Sequence, residues 1–240
     1  MKIVSMHQPN YLPWLGYFSK IAQSDCFVIA DNLPYTKQTV TNRNKIRIKD
    51  SWVYLTIPIG SNYYNLPICN VVLPRNDSWM ANHWKIIFDN YVKSDFFNLY
   101  KDFFQDLYQK KFKYLGKINT EIILCLLKCF KIDKEIIIAS ELDLDPELQK
   151  TDLLIALLKS ADADIYLSGP SGRNYLDLEK FRHNGIEVKF FEFQHPVYKQ
   201  KSPGFEPAMA AIDLLFNMGP QASGIIKSTG NIENLMLEDV

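Results

Sequence analysis

The chain lacks an excess of charge of either sign. Its 240 residues carry 27 Lys plus Arg and 27 Asp plus Glu. Nucleic-acid and membrane-surface binders rest on surplus cationic side chains, so this balance argues against a general binder of either kind while leaving room for a local basic patch. No apolar run approaches bilayer-spanning length, and no charged segment followed by an apolar stretch opens the chain. The expectation is a cytoplasmic protein with no nucleic-acid and no membrane partner. Cysteine is sparse: Cys26, Cys69, Cys125 and Cys129, none of them in a CxxC pair. Cys125 and Cys129 are four apart on one helix face inside an apolar run, which reads as buried reduced thiols; no metal site is expected. GxSxG, GxGxxG and a phosphate loop ending in Gly-Lys-Ser/Thr are all missing. There is no internal repeat and no low-complexity tract.

What is present is concentrated at the start. Lys2-Ile3-Val4-Ser5-Met6 reads as a short buried strand, and His7-Gln8-Pro9-Asn10-Tyr11-Leu12-Pro13-Trp14-Leu15-Gly16-Tyr17 follows at once. A plain strand-to-helix loop of about two to six residues does not need that chemistry. Pro9 and Pro13 each restrict φ and remove a backbone donor, stiffening the loop above the strand end. Ligands of open α/β sheets bind beyond the carboxyl ends of the strands, which puts His7, Gln8 and Asn10 where a site belongs.

Apolar runs of strand length recur at 26–30, 135–140, 164–168 and 186–193. Leu15 to Ser24 has helical spacing, giving a strand, a helix and a parallel strand. Residues 45–48 and 52–57 flank Lys49-Asp50-Ser51 and read as a hairpin, with a further short strand at Ile68 to Leu73. From Ser78 to about Phe130 the pattern is helical and aromatic, and Trp84, Phe88 and Tyr91 are expected to share an inward face. Pro146 to Ser160, with Asp145 as N-cap, and Pro207 to Phe216 complete the predicted helices. The predicted fold is one three-layer α/β domain over 1–240, a mainly parallel sheet with a β-hairpin and a helical insertion at about 79–130.

Four strand ends carry polar, conformationally restricted loops. The second, Asp31 to Lys37 followed by Asn42-Arg43-Asn44-Lys45, offers Asp31, Asn42 and the cations Lys37 and Arg43, Arg43 being able to grip phosphate bidentately; the bland alternative is a solvated turn and ordinary surface charge. The third, Ser168-Gly169-Pro170-Ser171-Gly172-Arg173, sets Ser168, Ser171 and Arg173 beside two glycines that let backbone approach a ligand, or that simply serve a tight turn. The fourth places His195 before Pro196, in an extended conformation. A lone histidine there is usually packed or solvated. Convergence of all four loops is what favours one small-molecule site, with His7, Asn10, Asp31, Arg43, Ser171 and His195 expected in one cleft.

These residues carry a resemblance. The segments HQPNYLPWLGYFSKIAQSDCFVIAD (7–31), Tyr35-Thr36-Lys37, NRNKI (42–46), YLSGPSGRNYL (166–176), GIEV (185–188), HPVYKQ (195–200) and DLLFNMGP (213–220) resemble the WbqC-like family, which is encoded in bacterial gene clusters for O-antigen and related polysaccharides. The chain departs from it at Val40, near which many relatives have a tryptophan. Members are often described as glycine or aminoacyl transferases linked to amino-sugar decoration, and no settled catalytic residues come with the resemblance. It implies a transferase attaching an aminoacyl or acyl group to a nucleotide-linked amino sugar, with a possible acyl or aminoacyl carrier as second partner and no cofactor specified. In that chemistry His7 or His195 is the base. Gln8, Asn10 or the 168–172 amides would stabilise the oxyanion. Lys37, Arg43 and Arg173 would hold the diphosphate. Two other readings stay open. One is a nucleotidylyltransferase-like enzyme, although the paired-histidine HxGH motif is missing; the other is a non-catalytic sugar-nucleotide or carrier-binding protein.

Overall fold

The computed structural model describes residues 1–37 and 39–233. Alternation within the buried strands builds the architecture. In β2 (Cys26–Ile29), Cys26 and Val28 belong to one apolar core, while Phe27 and Ile29 belong to another. Side chains of a strand point to opposite faces in turn, so a strand buried on both faces needs a layer on each. The first layer comes from α1 (Leu15–Ala22), α2 (Ser78–Tyr91), α3 (Phe97–Gln109), α4 (Leu115–Cys129), α7 (Ala211–Met218) and α8 (Ala222–Ser228). The second comes from α5 (Lys150–Ser160) and α6 (Leu178–His183).

The sheet has six strands in the order β5-β2-β1-β6-β7-β8. Here β1 is Ile3–His7, β5 Glu135–Ile138, β6 Ile165–Ser168, β7 Glu187–Phe193 and β8 Gly230–Glu233. All neighbouring pairs are parallel except β7 with β8. A separate antiparallel hairpin joins β3 (Arg43–Arg47) to β4 (Trp52–Thr56). The fold is the mainly parallel α/β sheet with hairpin that the periodicities predict. From β1 the chain builds outward to β2 and β5, then returns to place β6 and β7 on the other side of β1. The reversal opens a crevice between the carboxyl ends of β1 and β6, the position where doubly wound sheets take ligands.

Several local expectations are corrected. Residues 68–73 form a 3-10 turn, Ile68–Asn70, and not a strand. Their backbone groups are spent singly: Cys69 N–H on Asp31 O, Leu73 N–H on Lys113 O, and Val71 O on Leu115 N–H. Helix α5 starts after extended Gln149, because Asp145 Oδ1 accepts from Glu147 N–H at 2.9 Å and makes a local turn, not a cap. Helix α7 starts at Ala211, not Pro207. The amides of Ala210 and Ala211 donate to Lys45 O and Pro13 O, and Ala208 is left-handed at φ 59°. In α2, Tyr91 is buried and Trp84 half-buried, but Phe88 is 40% exposed, its ring resting edge-on against Phe97. All four cysteines are free thiols; only Cys26 is fully buried. Among the described residues, no helix is long and apolar enough to cross a membrane.

Candidate functional site

The loop after β1 is dense for two reasons, and only one concerns a ligand. Residues 9–13 are buried and held by side chains from distant elements. Asn119 Nδ2 donates to Pro9 O and Thr41 O, and Asn44 Nδ2 donates to Leu12 O. The Tyr11 hydroxyl lies 2.8 Å from His83 Nδ1 and 2.6 Å from the Tyr108 hydroxyl. Asn10 is fully buried, with neither amide atom hydrogen-bonded. This half of the loop is a structural anchor that fixes the two residues before it.

Those residues, His7 and Gln8, open into a cavity of about 630 Å³ at the β1–β6 crevice. Met6, His7 and Gln8 form one wall; Trp14, Gly16, Tyr17 and Lys20 of the α1 segment form the second. Gly169, Pro170, Ser171 and Tyr175, after β6, form the third, and Phe191 and Phe193 of β7 close it. Gly172 makes the third wall possible, since a Cβ there would lie 2.2 Å from Ser168 Oγ.

Two titratable groups line this space. His7 Nδ1 lies 2.9 Å from Gln8 O, so Nδ1 carries the hydrogen and Nε2 the lone pair. Burial, and then the nearby Lys20 charge, push the imidazole down from 6.5 to about 4. Lys20 is the residue that sequence reasoning missed. It sits in a helix buried from Leu15 to Ile21, its ammonium donating to Met6 O at 2.8 Å. No carboxylate among the described residues pairs with it, and burial lowers it from 10.5 to about 8. In the sequence Lys20 is only a lysine beside Ser19, one turn after Gly16; its burial comes from what packs around α1.

The structure divides the other predicted residues. Ser171 joins His7 and Gln8 in the cavity; Asn10, Asp31, Lys37, Asn42, Arg43, Ser168, Arg173 and His195 are not among its lining. The Asp31 carboxylate takes hydrogen bonds from Ser140 N–H at 2.9 Å and Ser140 Oγ at 2.7 Å, tying β2 to the turn after β5. Lys37 is exposed, and Asn42 is buried with Nδ2 on Ile57 O. The Arg43 guanidinium lies 4.6 Å from the Tyr54 ring on the hairpin, and that of Arg173 4.1 Å from the Phe190 ring. Ser168 Oγ donates to Gly169 O. His195 uses both ring nitrogens inside its own loop: Nδ1–H donates to Pro196 O at 2.8 Å, and Nε2 accepts from Ala208 N–H at 3.0 Å. The single-cleft expectation therefore gives way to a smaller site with His195 as a latch. The rest of its loop is fastened by Asp213, whose buried carboxylate accepts from Tyr91, Tyr198 and Gln200. Among the described residues, no group of three or more His, Cys, Asp or Glu is placed to hold a metal ion.

Comparison with known proteins agrees with the resemblance in the strand-end loops. The profile of the WbqC-like protein family matches residues 8–225. The uncharacterized protein Rv1507c of Mycobacterium tuberculosis is 32% identical over 230 residues, covering 95% of this chain and 98% of that protein. No solved structure matches. Segments on α1, β6 and β7, which form most of the cavity wall, lie within the matched span, which opens at Gln8 directly after β1, and the chain belongs to the WbqC-like protein family.

Proposed function

We propose that the protein binds a nucleotide-linked amino sugar in the β1–β6 cavity and transfers an aminoacyl or acyl group to the sugar amine. The observation that carries this reading is the Lys20 ammonium, buried in the cavity wall with no carboxylate partner among the described residues. Removing a charge from water without a counter-charge costs several kcal/mol, and a bound phosphate offsets that cost. The cavity size falls within the range of about 300–1,000 Å³ typical of small-molecule sites, and its wall combines aromatic side chains such as Trp14 and Phe193 with the polar groups of His7, Gln8, Lys20 and Ser171.

His7 supplies the proton transfer. Its low pKa keeps the imidazole neutral across the physiological range, and Nε2 has no hydrogen-bond partner among the described residues. As the sugar amine attacks, a nitrogen–acyl bond forms, the bond from the acyl carbon to the activated donor breaks, and Nε2 relays the amine proton to the leaving group. Gln8 Nε2 donates one of its two hydrogens to Pro34 O at 2.8 Å, which fixes the amide and leaves its second hydrogen as an oxyanion donor. In the loop after β6, Pro170 has no N–H and the Gly172 amide donates to Gly169 O at 3.0 Å, which leaves the amides of Gly169 and Ser171 for that task.

Calorimetry with a panel of nucleotide-linked amino sugars tests the binding step. The wild type should bind at least one, and Lys20→Met should weaken it by about tenfold or more. Mass spectrometry of the sugar with activated glycyl and acetyl donors tests transfer, which His7→Asn should abolish. Failure of the whole panel to bind, or equal binding by Lys20→Met, would overturn the reading.

A further inference from the structure

Trp14 lines the same cavity as Lys20 but is held there by a different device. Its backbone is fixed by a bridge to Ala210 and by Tyr17 N–H donating to Trp14 O. Its indole folds back over Gly16: a Cβ on that residue would lie 2.3 Å from both Cη2 and Cζ3 of the ring. The Phe193 ring stands perpendicular to the indole, 5.0 Å between centroids, and its Cγ would lie 3.0 Å from the same Cβ. The indole is only half-buried, so a pinned aromatic surface faces the open space. Gly16 and Lys20 are four apart on one helix face, with about 6 Å of helix rise between their Cα atoms.

The cavity wall thus carries both a pinned aromatic surface, Trp14, and a cation, Lys20. An inorganic anion needs only the second, and a neutral sugar does not call for a buried ammonium. A nucleotide uses both, because its base stacks on a π-face while its phosphates meet the charge. We infer that Trp14 is the stacking platform for the nucleobase of the substrate, with Gly16 as the residue that sets its pose. This rests on the nucleotide-sugar reading above and adds the subsite that discriminates a nucleotide from a bare phosphate. The base ring lies along the indole, and the diphosphate extends down α1 toward Lys20.

Calorimetry of inorganic pyrophosphate and of UDP, CDP, GDP and ADP against wild type, Trp14→Leu and Gly16→Ala tests it. Gly16→Ala keeps the indole and displaces it, so it separates stacking from bulk loss of a large side chain. Both variants should bind the preferred nucleoside diphosphate about tenfold or more weakly and pyrophosphate within about twofold of wild type. In the wild type, nucleotide but not pyrophosphate should quench tryptophan fluorescence, and Trp14→Leu should lose that quench. Unchanged nucleotide affinity in both variants, or equal losses for pyrophosphate, overturns the platform. Wild-type binding of pyrophosphate without any preference for nucleotides overturns it too, while sparing the anion site. Binding of neither ligand class by wild type removes the nucleotide reading and the platform together.

Discussion

The ammonium of Lys20 caps the carbonyl oxygen of Met6 at 2.8 Å, so a charged group of α1 closes the carboxyl end of the central strand. The bond leaves the charge unneutralised inside a buried helix and makes it a cost to folding that a ligand repays.

That cost is measurable. Burial lowers Lys20 from 10.5 to about 8, a difference worth about 3 kcal/mol against the charged form. Between those values the unfolded chain binds more protons than the folded one, so stability rises with pH from about 8 to 10.5. Lys20→Met should therefore be more stable than wild type at pH 7 in urea denaturation, and the gap should close as pH rises through that window. A less stable variant at pH 7 would contradict the account.

Two histidines make the protein acid-sensitive. Burial first, and for His7 also the Lys20 charge, pushes both His7 and His83 from 6.5 to about 4. The unfolded chain then takes up protons first, so stability is complete above 6.5 and is lost as pH falls toward 4. Each contributes up to about 3 kcal/mol. His7→Asn should flatten part of the profile between these limits, and a profile as steep as wild type would count against it.

Asp213 should matter for folding and not for ligand. It is fully buried and accepts from the Tyr91 and Tyr198 hydroxyls at 2.9 and 2.7 Å and from Gln200 Nε2 at 2.9 Å. Asp213→Ala leaves three donors without an acceptor and should cost about 3–5 kcal/mol in chemical denaturation. A loss under about 1 kcal/mol would mean that water replaces the carboxylate.

Gly172 and Arg43 give opposite expectations. A Cβ on Gly172 would meet Ser168 Oγ at 2.2 Å and Leu176 Cδ1 at 2.9 Å, so Gly172→Ala must move the cavity's third wall. It should destabilise by about 1–3 kcal/mol and weaken ligand binding measured by calorimetry. Arg43 packs on Tyr54 outside the cavity lining, so Arg43→Ala should change affinity by less than about threefold. A tenfold loss would bring the hairpin back into the site.

The sequence by itself determined the element types wherever a local period decides them. The buried strands at 26–29 and 165–168, the hairpin at 43–56 and the aromatic helices at 78–129 follow from the spacing of apolar residues. It also pointed to the loop holding His7 and Gln8 and to Ser171, because proline and glycine at a strand end are local signals.

Tertiary structure alone decided which polar groups are free. Asp31 is met by Ser140, His195 by Ala208 and Asn44 by Leu12 O, partners 109, 13 and 32 positions away. Hydrogen-bond saturation depends on these long-range pairs, and no spacing rule encodes them. Burial of Lys20 is likewise a property of what packs around α1. That packing, with the strand order that sets β6 beside β1, makes a charged helix residue part of the site.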